Sequence, residues 1–185
     1  MADMDRRRWG IVALVLVALV VITGWAIPNL AGSALIEVRL VATPTVATGA
    51  GTRTVVVGGG QPGSATNLLL SVRITNRYVL PLTIGGGTEP LRIDLRARSA
   101  DGTSRLVWTI QGSSAGLEPD GESPDGNPAS RAYLINVGTT DYPVGPDGGV
   151  ALTDGTGQPL QPGSYELRAY AFGVASGSLP VGIVE

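Results

Sequence analysis

The chain has 185 residues, thirteen arginines, no lysine, fifteen acids, no histidine and no cysteine, for a formal net charge of −2. Without cysteine there is no disulfide, no thiolate metal site and no lipobox-type lipid anchor. Without His, Cys or Lys the usual nucleophile–base pairs and most transition-metal or haem ligand sets cannot be assembled, so the reading is of a non-enzyme with no cofactor and no evident small-molecule substrate.

The first predicted element is the run "RRRWGIVALVLVALVVITGWAIPN", residues 6–29. No charged side chain occurs between Trp9 and Ile36, and residues 9–27 are almost all apolar. Nineteen residues at helical rise span about 28 Å, close to the ~30 Å hydrocarbon core of a bilayer. Arg6, Arg7 and Arg8 on one flank, with Trp9 and Trp25 near the two ends, form the expected membrane-interface set. The arginine bias predicts a short cytoplasmic N-terminus (1–8), a transmembrane signal-anchor helix (9–28) stopped by Pro28 and Asn29, and an extracytoplasmic domain (29–185). The same run also fits a cleaved signal peptide, with Gly24 and Ala26, or Gly32 and Ala34, as the small residues before a cut. The reading adopted is the retained anchor, single-pass in the cytoplasmic membrane.

Beyond the anchor the pattern is that of short strands. "LIEVRLV" (35–41) alternates Ile36, Val38 and Leu40 against Glu37 and Arg39. Residues 42–67 are Gly/Thr-rich and read as loop or linker, with an edge strand at 55–57. "LLLSVRIT" puts Leu68, Leu70, Val72 and Ile74 on one face; "YVLPLTI" follows, its Pro81 implying an edge or a bulge. "LRIDLRARS" (91–99) alternates Leu91, Ile93, Leu95 and Ala97 inward with Arg92, Asp94, Arg96 and Arg98 outward. The turn "ADGT" joins it to "SRLVWTIQ", where Leu106, Trp108 and Ile110 are expected on one face and Trp108 in the core. Residues 112–130 form a long polar loop. "RAYLINV" is a further strand, "TTDYPVGPDGG" and "TDGTGQPLQPGS" read as turn-rich connections, and "YELRAYAF" and "LPVGIV" complete the set. The fold class is therefore all-β: an antiparallel sandwich of about seven or eight strands behind one N-terminal transmembrane helix.

Two clusters invite a functional reading. Glu118, Asp120, Glu122 and Asp125 lie in the 118–125 loop, and Pro-Asp-Gly recurs from Pro119, Pro124 and Pro146. A calcium site needs several oxygen ligands, but the spacing does not match an EF-hand and Pro-Asp-Gly is first of all turn chemistry. The expectation is solvated turns and no metal. Arg92, Arg96 and Arg98 share one face of a strand and are the candidate partner-docking residues, joined by Arg73 or Arg105 if the neighbouring strands pair accordingly. The alternative is a solvated face whose charges discourage edge pairing. No basic patch with interleaved aromatics is present, so nucleic acid is not an expected partner.

"SVRITNRYVLPLTI" resembles the "vtN…pltl" strand pair of the bacterial BsuPI-type intracellular proteinase inhibitor domain. "RIDLRARSADGTSRLVW" is similar to its "D…dG…vW" hairpin, and residues 155–170 to its closing "G…v.PGxYxl.a". The resemblance covers residues 68–171 in the family's order and implies an immunoglobulin-like β-sandwich. It also implies protease inhibition, although the anchor and the 112–130 loop depart from the cytoplasmic inhibitor pattern and no inhibitory residue set transfers. Tyr165, in Pro162-Gly163-x-Tyr165, corresponds to a structural corner of such sandwiches.

These features point to a non-catalytic, membrane-anchored interaction module. The leading expectation is an accessory or stabilising subunit of a larger bacterial membrane complex, with integral-membrane and extracytoplasmic protein subunits and the lipid bilayer as partners. Respiratory and photosynthetic electron-transfer assemblies are the class of complex that a cofactor-free, one-helix subunit suggests. The alternative is a surface-tethered inhibitor of BsuPI type.

Overall fold

The computed structural model describes residues 2–27, 31–43, 46–47, 53–58, 67–85, 91–111, 131–144 and 149–184. The expectations for Pro28 and Asn29, for the 112–130 loop with its acids, and for Pro146 lie outside them.

The chain opens with helix α1 (Ala2–Val21), which continues as a π-helical turn, Ile22–Ala26. The helix starts at Ala2 rather than at Trp9, so Arg6, Arg7 and Arg8 belong to its first turns. Arg8–Ala26 is long and apolar enough to cross a membrane, and none of it is buried against the rest of the protein. Thr23 Oγ1 donates back to the Leu19 carbonyl at 2.7 Å, the i−4 bond by which a mid-helix threonine satisfies its hydroxyl and bends the helix it sits in. A 3-10 turn, Gly32–Leu35, then leads into the β-region.

Thirteen strands follow among the described residues, more and shorter than expected. One sheet is built on β4 (Asn67–Asn76), which pairs antiparallel with β1 (Ile36–Thr43), β9 (Gly138–Pro143) and β10 (Gly149–Ala151). A second sheet runs β2 (Val46–Ala47), β3 (Arg53–Gly58), β13 (Leu179–Val184), β11 (Gly163–Ala171), β6 (Leu91–Arg98), β7 (Ser104–Gln111), with β12 (Val174–Ala175) beside β11. β5 (Leu82–Gly85) and β8 (Ala132–Ile135) make a small third sheet. One pairing departs from the antiparallel expectation: β3 and β13 are parallel. β3 is also not an edge, since β2 flanks its other side. "TTDYP" is a strand rather than a connection, because Thr139, Thr140 and Tyr142 are the β-branched and aromatic residues a pleated surface favours.

Period-two alternation explains the core. Leu68, Leu70, Val72 and Ile74 of β4 and Ile36 and Val38 of β1 form one buried set; Leu91, Ile93 and Leu95 of β6, Leu167, Ala169 and Ala171 of β11, and Val181 and Ile183 of β13 form the other. The two sets join in a single apolar cluster. Each fully buried leucine contributes about 1.5–3 kcal/mol. The turn from β11 to β12 is made by Phe172 and Gly173, both at positive φ (51° and 79°). A two-residue hairpin turn of this hand suits glycine but strains phenylalanine. Phe172 offsets that strain by burial, its ring packing 5.7 Å from that of Tyr133.

The β6–β7 hairpin turns as read: Gly102 N–H donates to Ser99 O, and Asp101 Oδ1 accepts from both Thr103 N and Thr103 Oγ1. A bulge between Leu95 and Arg96 then shifts the register, so that Trp108 faces Leu95 but Leu106 faces Arg96. Leu106 therefore leaves the face it was expected to share with Trp108 and Ile110, and is 47% exposed. Trp108 packs half-buried against the core rather than inside it.

Candidate docking surface

The second sheet's outward face carries the arginines of β6. Asp94, expected outward in water, is instead 3% exposed at the centre of that face. Its Oδ1 accepts from Thr109 Oγ1 at 3.0 Å and lies 3.3 Å from Arg92 Nε, while Arg96 Nη2 stands 3.9 Å from Oδ2. The register adds a third arginine, because Arg168 of β11 is the cross-strand partner of Asp94. Arg168 Nε is buried, and among the described residues nothing accepts its hydrogen bond. Arg92 also stacks over the Tyr170 ring, 4.2 Å from its centroid, on the neighbouring strand.

A carboxylate can offset one guanidinium; here two stand within 4 Å and a third arginine occupies the facing position on β11. Arg98, exposed at the end of β6, extends the row. Glu166 lies opposite Arg96 and accepts from Ser178 Oγ at 2.8 Å. Four arginines thus face two acids, a surplus of two positive charges on a surface that also shows the apolar side chain of Leu106. Such a surface can hold carboxylates or phosphates in its guanidinium forks.

Arg92, Arg96 and Arg98 are therefore brought together, but Arg73 and Arg105 do not join them. Arg73 lies on the other sheet, in a two-pronged pair with Asp141 (Nε–Oδ1 2.6 Å, Nη2–Oδ2 2.8 Å), which raises the arginine pKa and holds the Asp141 carboxyl below its ordinary range. Arg105 faces Ala97, on the opposite side of the sheet from Arg96. There it counteracts the burial that raises the Tyr165 phenol. Arg168 was legible only through pairing: nothing in "YELRAYAF" says which strand Arg168 will lie beside.

Along α1 and its π-helical continuation Arg8 is exposed, Trp9 is 74% exposed and Trp25 65%. The backbone of Arg6 and Arg7 is helical. The segment after β4, where the sequence pattern predicts a strand, is a loop that meets the π-helical turn. Tyr78 Oη donates to the Thr23 carbonyl oxygen in the π-helical turn. Asn76, 4% exposed, builds the loop: its Nδ2 donates to Leu80 O at 2.9 Å and Ile135 O at 3.2 Å, while its Oδ1 accepts from Tyr78 N at 2.8 Å. Beside it Glu37 accepts from Arg77 and Arg39, and those two bonds, Arg77's first, hold its carboxyl below the ordinary range.

The Pro-Gly-x-Tyr motif also resolves. Tyr165 Oη donates to Gln161 O at 2.8 Å, four residues upstream, the bond a tyrosine corner makes. Asp154 caps its own turn, accepting from Thr156 Oγ1, Thr156 N and Gln158 N, which together lower its pKa. Among the described residues no group of three or more acids could hold a metal ion.

No family model and no curated protein matches the chain. Among solved structures, the alkylpurine DNA glycosylase AlkC of Pseudomonas fluorescens, bound to DNA containing an abasic site analog, shares 14% identity at a TM-score of 0.44 over 82% of this chain and 31% of its own. A β-glucosidase from Listeria innocua, in complex with gluconolactone, shares 10% at a TM-score of 0.33 over 80% of this chain and 16% of its own. The chain spans less than a third of either protein, and likenesses this distant assign no activity.

Proposed function

We propose that the chain is a non-catalytic accessory subunit that uses its arginine face to hold an acidic surface of a membrane-complex partner. The observation that carries this reading is the surplus of guanidinium groups around the buried carboxylate of Asp94. A face that only needed to stay soluble would not bury an acid among three arginines, since desolvating charge is costly unless a partner group repays it. In this reading α1 is a retained single-pass anchor with its N-terminus inside the cytoplasmic membrane, and residues 29–185 form an immunoglobulin-like sandwich outside. The single apolar cluster shared by the two larger sheets and the Tyr165 corner support the sandwich.

The test is extraction of native membranes in mild detergent and purification through a C-terminal tag. Stoichiometric membrane subunits should accompany the wild-type chain and be lost from an Arg92→Glu/Arg96→Glu/Arg98→Glu variant, with losses growing at high salt. Recovery of the wild-type chain alone would sink the proposal.

A further inference from the structure

The loop between β4 and β5 is built against water. Exposed loop tips ordinarily carry Gly, Asn, Asp or Ser, yet this one reads Tyr78-Val79-Leu80-Pro81, with Val79 76% and Leu80 42% exposed. It is also held in shape. The buried Asn76 amide spends both of its ends on the loop and on the neighbouring β8 carbonyl, so the apolar tip is presented by the fold. Val137, 53% exposed, precedes Gly138, which pairs with Asn76 at the base of the loop.

The position of this tip is fixed by the helix. Thr23, whose carbonyl takes the Tyr78 hydroxyl, lies within the apolar stretch Arg8–Ala26, one turn before its end. A side chain bonded there sits at the depth where a spanning helix leaves the hydrocarbon, the level at which tyrosine and tryptophan settle. Trp25 marks the same level. Arg77 and Arg39, 63% and 67% exposed, stand behind the tip with only Glu37 between them, leaving one positive charge beside the apolar residues. Apolar tip, aromatic collar and basic rim form the sequence of layers that a bilayer surface presents in reverse.

We propose that the Tyr78–Pro81 loop is a second membrane contact, with Val79 and Leu80 in the boundary between headgroups and acyl chains and Arg77 and Arg39 facing lipid phosphates. The inference rests on the reading that α1 spans the bilayer. Two contact points instead of one fix the domain's tilt, and so the direction in which the arginine face points.

The chain has no native cysteine, so single labels are unambiguous. Full-length variants Leu16→Cys, Val79→Cys and Ala100→Cys, each carrying an environment-sensitive fluorophore, are placed in lipid nanodiscs with nitroxide on the headgroup or deep in the acyl chain. Leu16 reports the span, and Ala100, in the exposed β6–β7 turn, reports water. The expected result is a blue-shifted Val79 label quenched several-fold more than Ala100 by headgroup nitroxide, and a Leu16 label quenched most by deep nitroxide. Tyr78→Phe should reduce the Val79 quenching and leave Leu16 unchanged. A Val79 label as wet as Ala100, with Leu16 deep, overturns the second contact and leaves the span standing. An unquenched Leu16 overturns the span and the loop contact together. A Val79 label dry in native vesicles but wet in pure lipid overturns the inference in favour of a protein partner at this loop.

Discussion

Asp94 and Glu37 are each an acid in contact with two arginines, yet they behave differently. The Glu37 side chain is 25% exposed and takes short bonds from both Arg39 and Arg77. The Asp94 side chain is 5% exposed, its arginine contacts are 3.3 and 3.9 Å, and a third arginine, Arg168, stands across the strand without a hydrogen-bond partner on its Nε among the described residues. Close ion pairs at Glu37 engage both of its arginines and leave a single positive charge; longer ones at Asp94 leave guanidinium hydrogen-bonding capacity unspent. A docking face is marked by that surplus rather than by the number of salt bridges.

The comparison can be sharpened by first removing the floor beneath Asp94. Leu95 is fully buried next to it, and Leu95→Ala should lower unfolding stability by about 2–5 kcal/mol in urea titrations of the full chain in detergent. Asp94→Ala, which strips the acid but keeps the floor, should cost about 1–3 kcal/mol. Asp94→Asn should cost less, because an amide oxygen still accepts from Thr109. Glu37→Ala should shift the midpoint visibly less than Asp94→Ala; equal shifts would break the distinction between the two acids. Tyr165→Phe, away from both, should cost about 0.5–1.5 kcal/mol through the lost bond to Gln161. Arg73→Ala should leave the midpoint unchanged within error at physiological salt, since its pair with Asp141 is exposed.

Acid titration separates the two clusters in another way. The folded-state pKa values of Glu37, Asp101, Asp141 and Asp154 are depressed. The unfolded chain therefore binds protons first as pH falls, so their contribution is fully present above the ordinary carboxylate range of about 4 and is lost as pH drops through the depressed values. Stability followed by near-UV circular dichroism should be flat from pH 7 to about 5 and fall below it. Glu37→Gln should make that acid limb shallower, whereas an unaltered limb would remove Glu37 from the account.

Where one period-two pattern is enough, the sequence was legible. Leu91, Ile93 and Leu95 are inward because alternation against a core permits little else. The apolar helix and the turn at Asp101 follow from local chemistry in the same way. What local pattern does not encode is pairing. Leu106 and Arg105 change face because of one bulge, Arg73 leaves the arginine row because of strand order, and Arg168 enters it for the same reason. Asp94 reads as an outward acid, and only the crowd of side chains from β7 and β11 buries it. "YVLPLTI" illustrates a third limit: Asn76 reaches forward to Leu80 and across to Ile135, and that second, long-range bond helps make a loop of residues that favour a strand.

The parallel pair of β3 with β13 has a temporal meaning. Among the described residues the β2–β3 arm connects to the rest of its sheet through β13 alone, so residues 53–58 must wait for residues 179–184 before they have a place to settle. Closing so long a stretch is entropically slow. A ribosome adding residues in order delivers residues 179–184 long after residues 53–58, so the β2–β3 arm docks later than its place in the sequence suggests.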